Sequence, residues 1–123
     1  MKLCLLTIRS FMLTLSLILM APGYASDLLP TITVDQLPPE AQQTLAAIKR
    51  GGPYAFAKDG AVFGNYGHTL PAHPRGYYNE FTVRTPGVAH RGARRIVVGA
   101  MATPSAEYYY SDDHYVSFQR IQA

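Results

Sequence analysis

The sequence has 123 residues, a net charge of +3 with neutral histidines, and one cysteine, Cys4. This length predicts one small domain and excludes a second domain of ordinary size among these residues. A single cysteine excludes both an internal disulfide and a zinc site built from several cysteines.

The N-terminal segment has the pattern of a secretory signal. Lys2 and Arg9 precede an apolar run over residues 11–20, and small residues lead to Ala25. A transmembrane helix needs about 20 apolar residues, so an uncleaved membrane tether is the weaker interpretation. The pattern predicts a signal peptide over residues 1–25, removed after Ala25. We therefore expect a secreted protein, extracellular or, if the producer has an outer membrane, periplasmic.

The predicted mature domain, residues 26–123, is only weakly basic. Without the signal, nine cationic side chains face eight acidic ones, which gives a net charge of +1. Its arginines are nevertheless concentrated, because five of them lie within twenty-one residues: Arg75, Arg84, Arg91, Arg94 and Arg95. Such a local concentration favours an anionic ligand, although arginines on an exposed strand are usually only solvated.

One helix is predicted, over residues 41–50. Ala41, Leu45 and Ile48 form an apolar stripe along it, two prolines suit its first turn, and Gly51 ends it. We interpret it as a helix that covers the core and has no chemical role.

Short strands separated by turn residues make up the rest of the chain. One helix followed by such strands indicates an α+β fold, with the N-terminal helix packed on a twisted antiparallel β-sheet. The strands are expected at residues 32–34, 61–63, 77–83, 96–98, 107–110 and 115–121.

The strand at residues 77–83 is the centre of the predicted site. Alternation places Tyr78, Glu80 and Thr82 on one face, and the turn at 85–87 leads to the run at 96–98. If these two runs pair as antiparallel neighbours, the carboxylate of Glu80 lies beside several guanidinium groups.

These residue types suit the cleavage of a phosphodiester without a metal or another cofactor. Such a reaction needs a base, an acid and cations that stabilise the phosphorane. Glu80 is the candidate base, His114 the candidate acid, and Arg91 with Arg95 the candidate phosphate clamp. Taken singly, the glutamate also fits a surface ion pair and the histidine a structural hydrogen bond.

Other chemistries lack their motifs. His68, His73, His90 and His114 do not have the spacing of zinc ligands. No nucleophile elbow supports acyl transfer, and Gly51-Gly52 lacks the lysine and the spacing of a phosphate-binding loop.

Seven segments, spread over almost all of residues 26–123, together form a recognisable pattern. They are LPPEAQQTL (37–45), GGPYAFAKDGAVFGN (51–65), LP (70–71), GYYNEFTV (76–83), TPG (85–87), RGARRIV (91–97) and DHYVSF (113–118). In these segments the chain resembles the secreted microbial guanyl-specific ribonucleases, the barnase-like family, and its small bacterial branch most of all. The resemblance implies the microbial ribonuclease fold. It also implies a metal-independent endoribonuclease that cuts single-stranded RNA through a 2′,3′-cyclic phosphate to a 3′-phosphate.

The same resemblance assigns roles to individual residues. It makes Glu80 the general base, His114 the general acid, Arg91 and Arg95 the phosphate-binding pair, and Tyr115 a residue that lines the site. Guanine is expected at a loop that offers backbone amides and a stacking ring, formed by Phe63, Gly64, Asn65 and Tyr66.

One departure concerns base recognition. The family has a glutamate directly after the stacking position, and this chain has Gly67. A carboxylate there would accept from the guanine N1–H and 2-amino groups, with a discrimination of about 1–3 kcal/mol by analogy with bidentate base readout. We therefore expect a guanine preference that is relaxed. The loop at residues 99–106 is also longer than in similar chains.

The resemblance further implies RNA as substrate and an acidic cytoplasmic inhibitor of the barstar type. A monomer with no membrane contact after signal removal is the default expectation. An alternative stays open, in which the same fold is a non-catalytic RNA-binding or protein-interaction module. Gly67 favours that alternative, whereas the joint presence of Glu80, Arg91, Arg95 and His114 favours the enzyme.

Overall fold

A computed structural model describes residues 28–123. The predicted signal peptide and its cleavage site lie outside the described residues. No helix within residues 28–123 is long and apolar enough to cross a bilayer.

The fold is one α-helix on a six-stranded sheet, which confirms the predicted α+β class. The strands follow the order β1-β6-β5-β4-β3-β2; β1 and β6 are parallel and all other neighbours are antiparallel. The helix is α1 (Pro39–Arg50), after a 3-10 turn (Val34–Gln36), and the strands are β1 (Thr31–Thr33), β2 (Ala61–Val62), β3 (Tyr78–Thr82), β4 (Arg95–Gly99), β5 (Glu107–Ser111) and β6 (Gln119–Gln122).

The helix ends where its sequence predicts and begins two residues earlier, at Pro39. Prolines occupy its start, where their missing N–H groups leave no bond unmade. It ends at Gly51, which adopts a left-handed conformation with φ of 83°. The next amide, of Gly52, donates to the Ala47 carbonyl and closes the last turn.

Two hydrophobic clusters lie on opposite faces of the sheet. One fills the space between α1 and the sheet and includes Leu45, Phe81 and Ile96. The other lies on the face of β3 that carries Tyr78, and it includes Tyr109 and Phe118. Because side chains alternate along β3, Glu80 and Thr82 lie on this second face, away from the helix.

The last strand is shorter than predicted. Residues 115–121 were expected to be extended, but β6 begins only at Gln119. His114 and Tyr115 have φ values of 54° and 72°, so the chain turns there. The Asp113 carboxylate stabilises this turn, because it accepts from both the amide and the hydroxyl of Ser117.

Candidate active site

Glu80 lies at the centre of the sheet and is engaged through both carboxylate oxygens. It occupies the middle of β3 opposite Val97 of β4, and only 8% of its surface is exposed. Oε1 accepts from Nη2 of Arg91 at 2.9 Å. Oε2 accepts from the Tyr115 hydroxyl at 2.5 Å. The predicted antiparallel pairing of residues 77–83 and 96–98 therefore does bring the carboxylate to the arginines.

Arg91 is held by Glu80 and by Thr82. Its Nε donates to Thr82 Oγ1 at 3.0 Å. Thr82 is in turn fixed by its backbone, since its amide donates to the Asp59 carboxylate at 2.7 Å and its carbonyl accepts from the Thr44 hydroxyl of α1 at 3.1 Å. Thr82 was not among the predicted site residues, although its place two residues after Glu80, on the same strand face, is a signal that could have found it.

Arg95 supports both its own loop and the site. It is only 2% exposed, and Nη1 donates to the carbonyls of Gly92 and Arg94 at 3.0 and 2.8 Å. Its Nε donates to the Tyr115 hydroxyl at 3.1 Å. The Arg95 guanidinium and the Glu80 carboxylate are therefore linked through the Tyr115 hydroxyl, which hydrogen-bonds both.

Gly92 permits the tight loop between the two arginines. Its φ is 65°, and a Cβ at this position would lie 2.5 Å from Thr85 Oγ1. A side chain here would clash with the side chain of Thr85 and would strain the left-handed backbone of this loop.

Tyr115 remains a hydrogen-bond donor over a wide pH range. Burial, together with its hydrogen bond to the Glu80 carboxylate, raises the pKa of Tyr115 to about 12. The phenol is therefore protonated at neutral pH, and it connects Glu80 with Arg95.

His114 is exposed beside this cluster. Its amide donates to the Ala93 carbonyl at 3.0 Å, which joins its turn to the arginine loop. Its ring centroid lies 4.9 Å from that of Tyr115. Solvent can reach the imidazole, as proton exchange by a general acid requires.

A small network fixes the turn that carries His114. Ser111 Oγ accepts from the Tyr115 amide at 3.0 Å and donates to Asp113 Oδ1 at 2.9 Å. The hydrogen bonds from Ser117 and Ser111 hold the pKa of Asp113 below its ordinary value. A turn is predicted at residues 111–113, but neither Ser111 nor Asp113 was among the predicted site residues.

The loop at residues 63–68 adjoins the catalytic cluster through Phe63, whose ring centroid lies 4.8 Å from that of Tyr115. The Asn65 side chain is buried and used within the loop, because it donates to the Leu70 carbonyl at 2.9 Å and accepts from the Leu70 amide at 3.1 Å. The Asn65 side chain therefore stabilises the conformation of the loop, and the backbone of the loop remains available for ligand contacts.

Tyr66 covers this loop from outside. Its ring is 81% exposed and lies against the backbone of Gly64, where a Cβ would approach the ring to 2.5 Å. Its hydroxyl accepts from Nη1 of Arg75 at 2.8 Å. An aromatic ring is thus available for stacking where the resemblance implies it.

Within residues 28–123, no group of three histidine, cysteine, aspartate or glutamate side chains is arranged to hold a metal ion. The cluster that the fold brings together is a carboxylate with two guanidinium groups, a phenol and a neighbouring imidazole.

Comparison with known proteins defines the class. A family model described as ribonuclease matches residues 23–122, and the chain belongs to this ribonuclease family. It is 51% identical over 85 residues to guanyl-specific ribonuclease Sa3 of Kitasatospora aureofaciens. That match covers 69% of this chain and spans 58% of the length of Sa3. The resemblance to microbial guanyl-specific ribonucleases is confirmed.

Solved structures of ribonuclease Sa2 match this chain over a larger share of their own length than Sa3 does. Ribonuclease Sa2, in complexes with mononucleotides, superimposes with a TM-score of 0.72 at 46% identity, over 77% of this chain and 95% of the other. Sa2 with guanosine-2′-cyclophosphate gives a TM-score of 0.69 at 47% identity, over 76% and 95%. These matches confirm the microbial ribonuclease fold, and the family supports the prediction of an endoribonuclease.

Proposed function

We propose that this chain is a metal-independent endoribonuclease that cleaves single-stranded RNA by 2′-OH transesterification. The observation that carries the proposal is the arrangement of Glu80 between Arg91 and the Tyr115–Arg95 pair on a buried strand. Such an arrangement combines a carboxylate base with two fixed positive charges, as attack on a phosphodiester requires. Similarity to guanyl-specific ribonucleases supports it.

In the first step, Glu80 takes the proton of the ribose 2′-OH, and the 2′-oxygen attacks phosphorus. The P–O5′ bond breaks, and His114 gives its proton to the departing 5′-oxygen. The products are a 2′,3′-cyclic phosphate and a free 5′-OH. Each Glu80 oxygen has two lone pairs and accepts one hydrogen bond from the protein, so one acceptor site per oxygen stays available.

In the second step, water opens the cyclic phosphate with the two roles exchanged. His114 removes a proton from water, the P–O2′ bond breaks, and Glu80 returns a proton to the 2′-oxygen. A 3′-phosphate results. Arg91 and Arg95 stabilise the added negative charge of both phosphoranes, because their positions are fixed before substrate arrives.

The loop at residues 63–66 is proposed to bind the base. Backbone amides donate to O6 and N7 of guanine, Tyr66 stacks on the ring, and Phe63 and Tyr115 line the pocket. The complex of Sa2 with guanosine-2′-cyclophosphate supports a guanine ligand for this fold. Since Gly67 supplies no carboxylate for the guanine N1–H and 2-amino groups, we infer that the preference is relaxed.

The test uses residues 26–123 and the dinucleoside phosphates GpC, ApC, UpC and CpC, with EDTA present. The expected result is a 2′,3′-cyclic phosphate formed fastest from GpC, with measurable cleavage of ApC. If the folded protein binds GpC without cleaving it, the non-catalytic RNA-binding module replaces the enzyme. If EDTA abolishes cleavage, the metal-independent mechanism is wrong.

We further infer that residues 1–25 are a signal peptide, that the secreted form is one monomeric domain, and that an acidic barstar-type inhibitor protects the producing cell. The site supports an acidic inhibitor, since the Arg91 guanidinium beside Glu80 is partly exposed. N-terminal sequencing of the protein from the culture medium tests the cleavage site. Ala25 as the last residue removed is the expected result.

A further inference from the structure

We propose that residues 73–77 form a binding subsite for the nucleotide directly upstream of the guanosine whose phosphate is cleaved. The subsite consists of His73, Arg75 and Tyr77, which we call the basic aromatic platform. The inference rests on the proposed function, because it extends the path of the same RNA strand beyond the base loop.

The first observation is a stacked pair of rings at the surface. The rings of His73 and Tyr77 lie 3.7 Å apart, centroid to centroid, with an interplanar angle of 13°. His73 is exposed and Tyr77 is half-buried beneath it. The outer face of the imidazole therefore offers a flat surface of the kind on which single-stranded RNA bases stack.

The second observation is an exposed cation, Arg75, two residues from each ring of that pair along the chain. Arg75 is exposed and uses Nη1 to bond the Tyr66 hydroxyl, which leaves its other donors for a ligand. No aspartate or glutamate occurs between Gly60 and Asn79. Glu107 acts electrostatically on Tyr77, but it accepts from the Tyr109 hydroxyl and lies 4.0 Å from Arg120, which offsets its charge.

The third observation is continuity with the catalytic cluster. Contacts run from Glu80 to Tyr115 and from Tyr115 to Phe63. The Tyr66 ring then covers the same loop and bonds Arg75. In this chain of contacts, the base loop lies between Tyr115 and Arg75.

This order selects the upstream nucleotide. The scissile phosphate follows the guanosine on its 3′ side and lies at Glu80. The strand on the 5′ side leaves the base loop away from Glu80, toward Arg75 and His73. A phosphate with a base on an aromatic surface fits this combination of a guanidinium and a stacked imidazole.

The experiment compares GpC with the pentanucleotide UUGCU and with two derivatives, abasic either directly upstream or directly downstream of the guanosine. The variants are Arg75→Ala, His73→Ala and their milder forms Arg75→Lys and His73→Gln. Arg50→Ala is the charge-matched control, since Arg50 is exposed at the end of α1 and bonds only the Gly52 carbonyl among the described residues. Thermal melting verifies that every variant is folded.

We expect His73→Ala to raise KM for UUGCU about five- to thirtyfold, within the range for one lost stacked base. Arg75→Ala should also raise KM for UUGCU. In both variants, kcat/KM for GpC should stay within about twofold of wild type. For Arg50→Ala, the kinetic constants for both GpC and UUGCU should stay within the same range. The upstream abasic oligonucleotide should reproduce the His73→Ala effect in the wild-type enzyme, and the downstream one should not. Unchanged KM for UUGCU in both variants would overturn the subsite and leave the ribonuclease function intact.

Two further outcomes also decide the matter. If Arg75→Ala and His73→Ala weaken GpC cleavage as much as UUGCU cleavage, both residues act on the base loop and the subsite is rejected. If GpC is not cleaved at all, the proposed function fails, and binding of UUGCU with 2′-deoxyguanosine at its centre tests the platform separately. In that binding measurement, Arg75→Ala should reduce the slope of log Kd against log salt concentration by about 0.7. This is the value for one lost phosphate contact to a single strand.

Discussion

The hydroxyl of Tyr115 donates to Glu80 Oε2 at 2.5 Å and accepts from Arg95 Nε at 3.1 Å. One phenol thus joins the carboxylate of β3 to the buried guanidinium of β4. Since burial keeps Tyr115 protonated, its hydrogen atom points toward the carboxylate and its lone pairs face the arginine. The base is held in one orientation by two neighbours on different segments, Tyr115 and Arg91.

Replacement of Glu80 by glutamine should abolish cleavage and retain binding. The amide keeps the size of the side chain but cannot take the 2′-OH proton, so kcat should fall by about 10²–10⁴-fold, the usual contribution of general acid–base catalysis. Steady-state kinetics on GpC and Kd for an RNA oligonucleotide measure the two effects. Glu107→Gln is the matched control and should keep wild-type kcat. A Glu80→Gln variant with wild-type kcat would exclude Glu80 as the base.

Thr82→Val should reduce activity through Arg91. Valine keeps the β-branched shape of threonine but loses the oxygen that accepts from Arg91 Nε. A hydrogen bond to a charged group contributes about 1.5–3 kcal/mol, so we expect kcat/KM to fall about tenfold or more. Thr31→Val, at the exposed first position of β1, is the control. Equal activity of Thr82→Val and wild type would show that Glu80 alone positions Arg91.

Gly67→Glu should sharpen base selection. A Cβ at Gly67 would lie 3.4 Å from Thr69 Oγ1, an ordinary contact, and the backbone has no positive φ there. The new carboxylate should raise the ratio of kcat/KM for GpC over ApC about tenfold, within the 1–3 kcal/mol of a good bidentate pair. Gly67→Gln and Gly67→Ala separate charge from bulk. If all three variants change the ratio equally, a carboxylate is not what the loop lacks.

The free energy of unfolding should decline steeply as the pH rises above 10. Burial raises the pKa values of Tyr78 and Tyr109 far above 10 and that of Tyr115 to about 12. Because the folded state binds these protons more tightly than the unfolded state, with its tyrosine pKa of about 10, the stabilisation is complete below pH 10. It is lost as pH rises above 10 and through the folded-state values.

Urea denaturation at pH 8, 10, 11 and 12 measures this decline as the free energy of unfolding. Tyr66→Phe is the control, since the exposed ring of Tyr66 should leave the slope unchanged. A free energy of unfolding that is constant from pH 8 to 12 would contradict the prediction.

Local sequence determined the helix, most strand positions and the residue types of the site. The apolar stripe and Gly51 define α1, and alternation in residues 77–83 places Glu80 and Thr82 on one face, because both depend on interactions close in the chain. The family resemblance could likewise be read from contiguous segments.

Tertiary structure decided how the site is held together. The bonds of Glu80 with Tyr115, thirty-five residues away, and of Thr82 with Asp59 and Thr44 depend on strand pairing and helix docking. The turn at His114 overrode the extended pattern of residues 115–121, because the Ser111 and Asp113 side chains bond its backbone. Periodicity carries no information about such contacts, since they join groups that only the complete fold brings together.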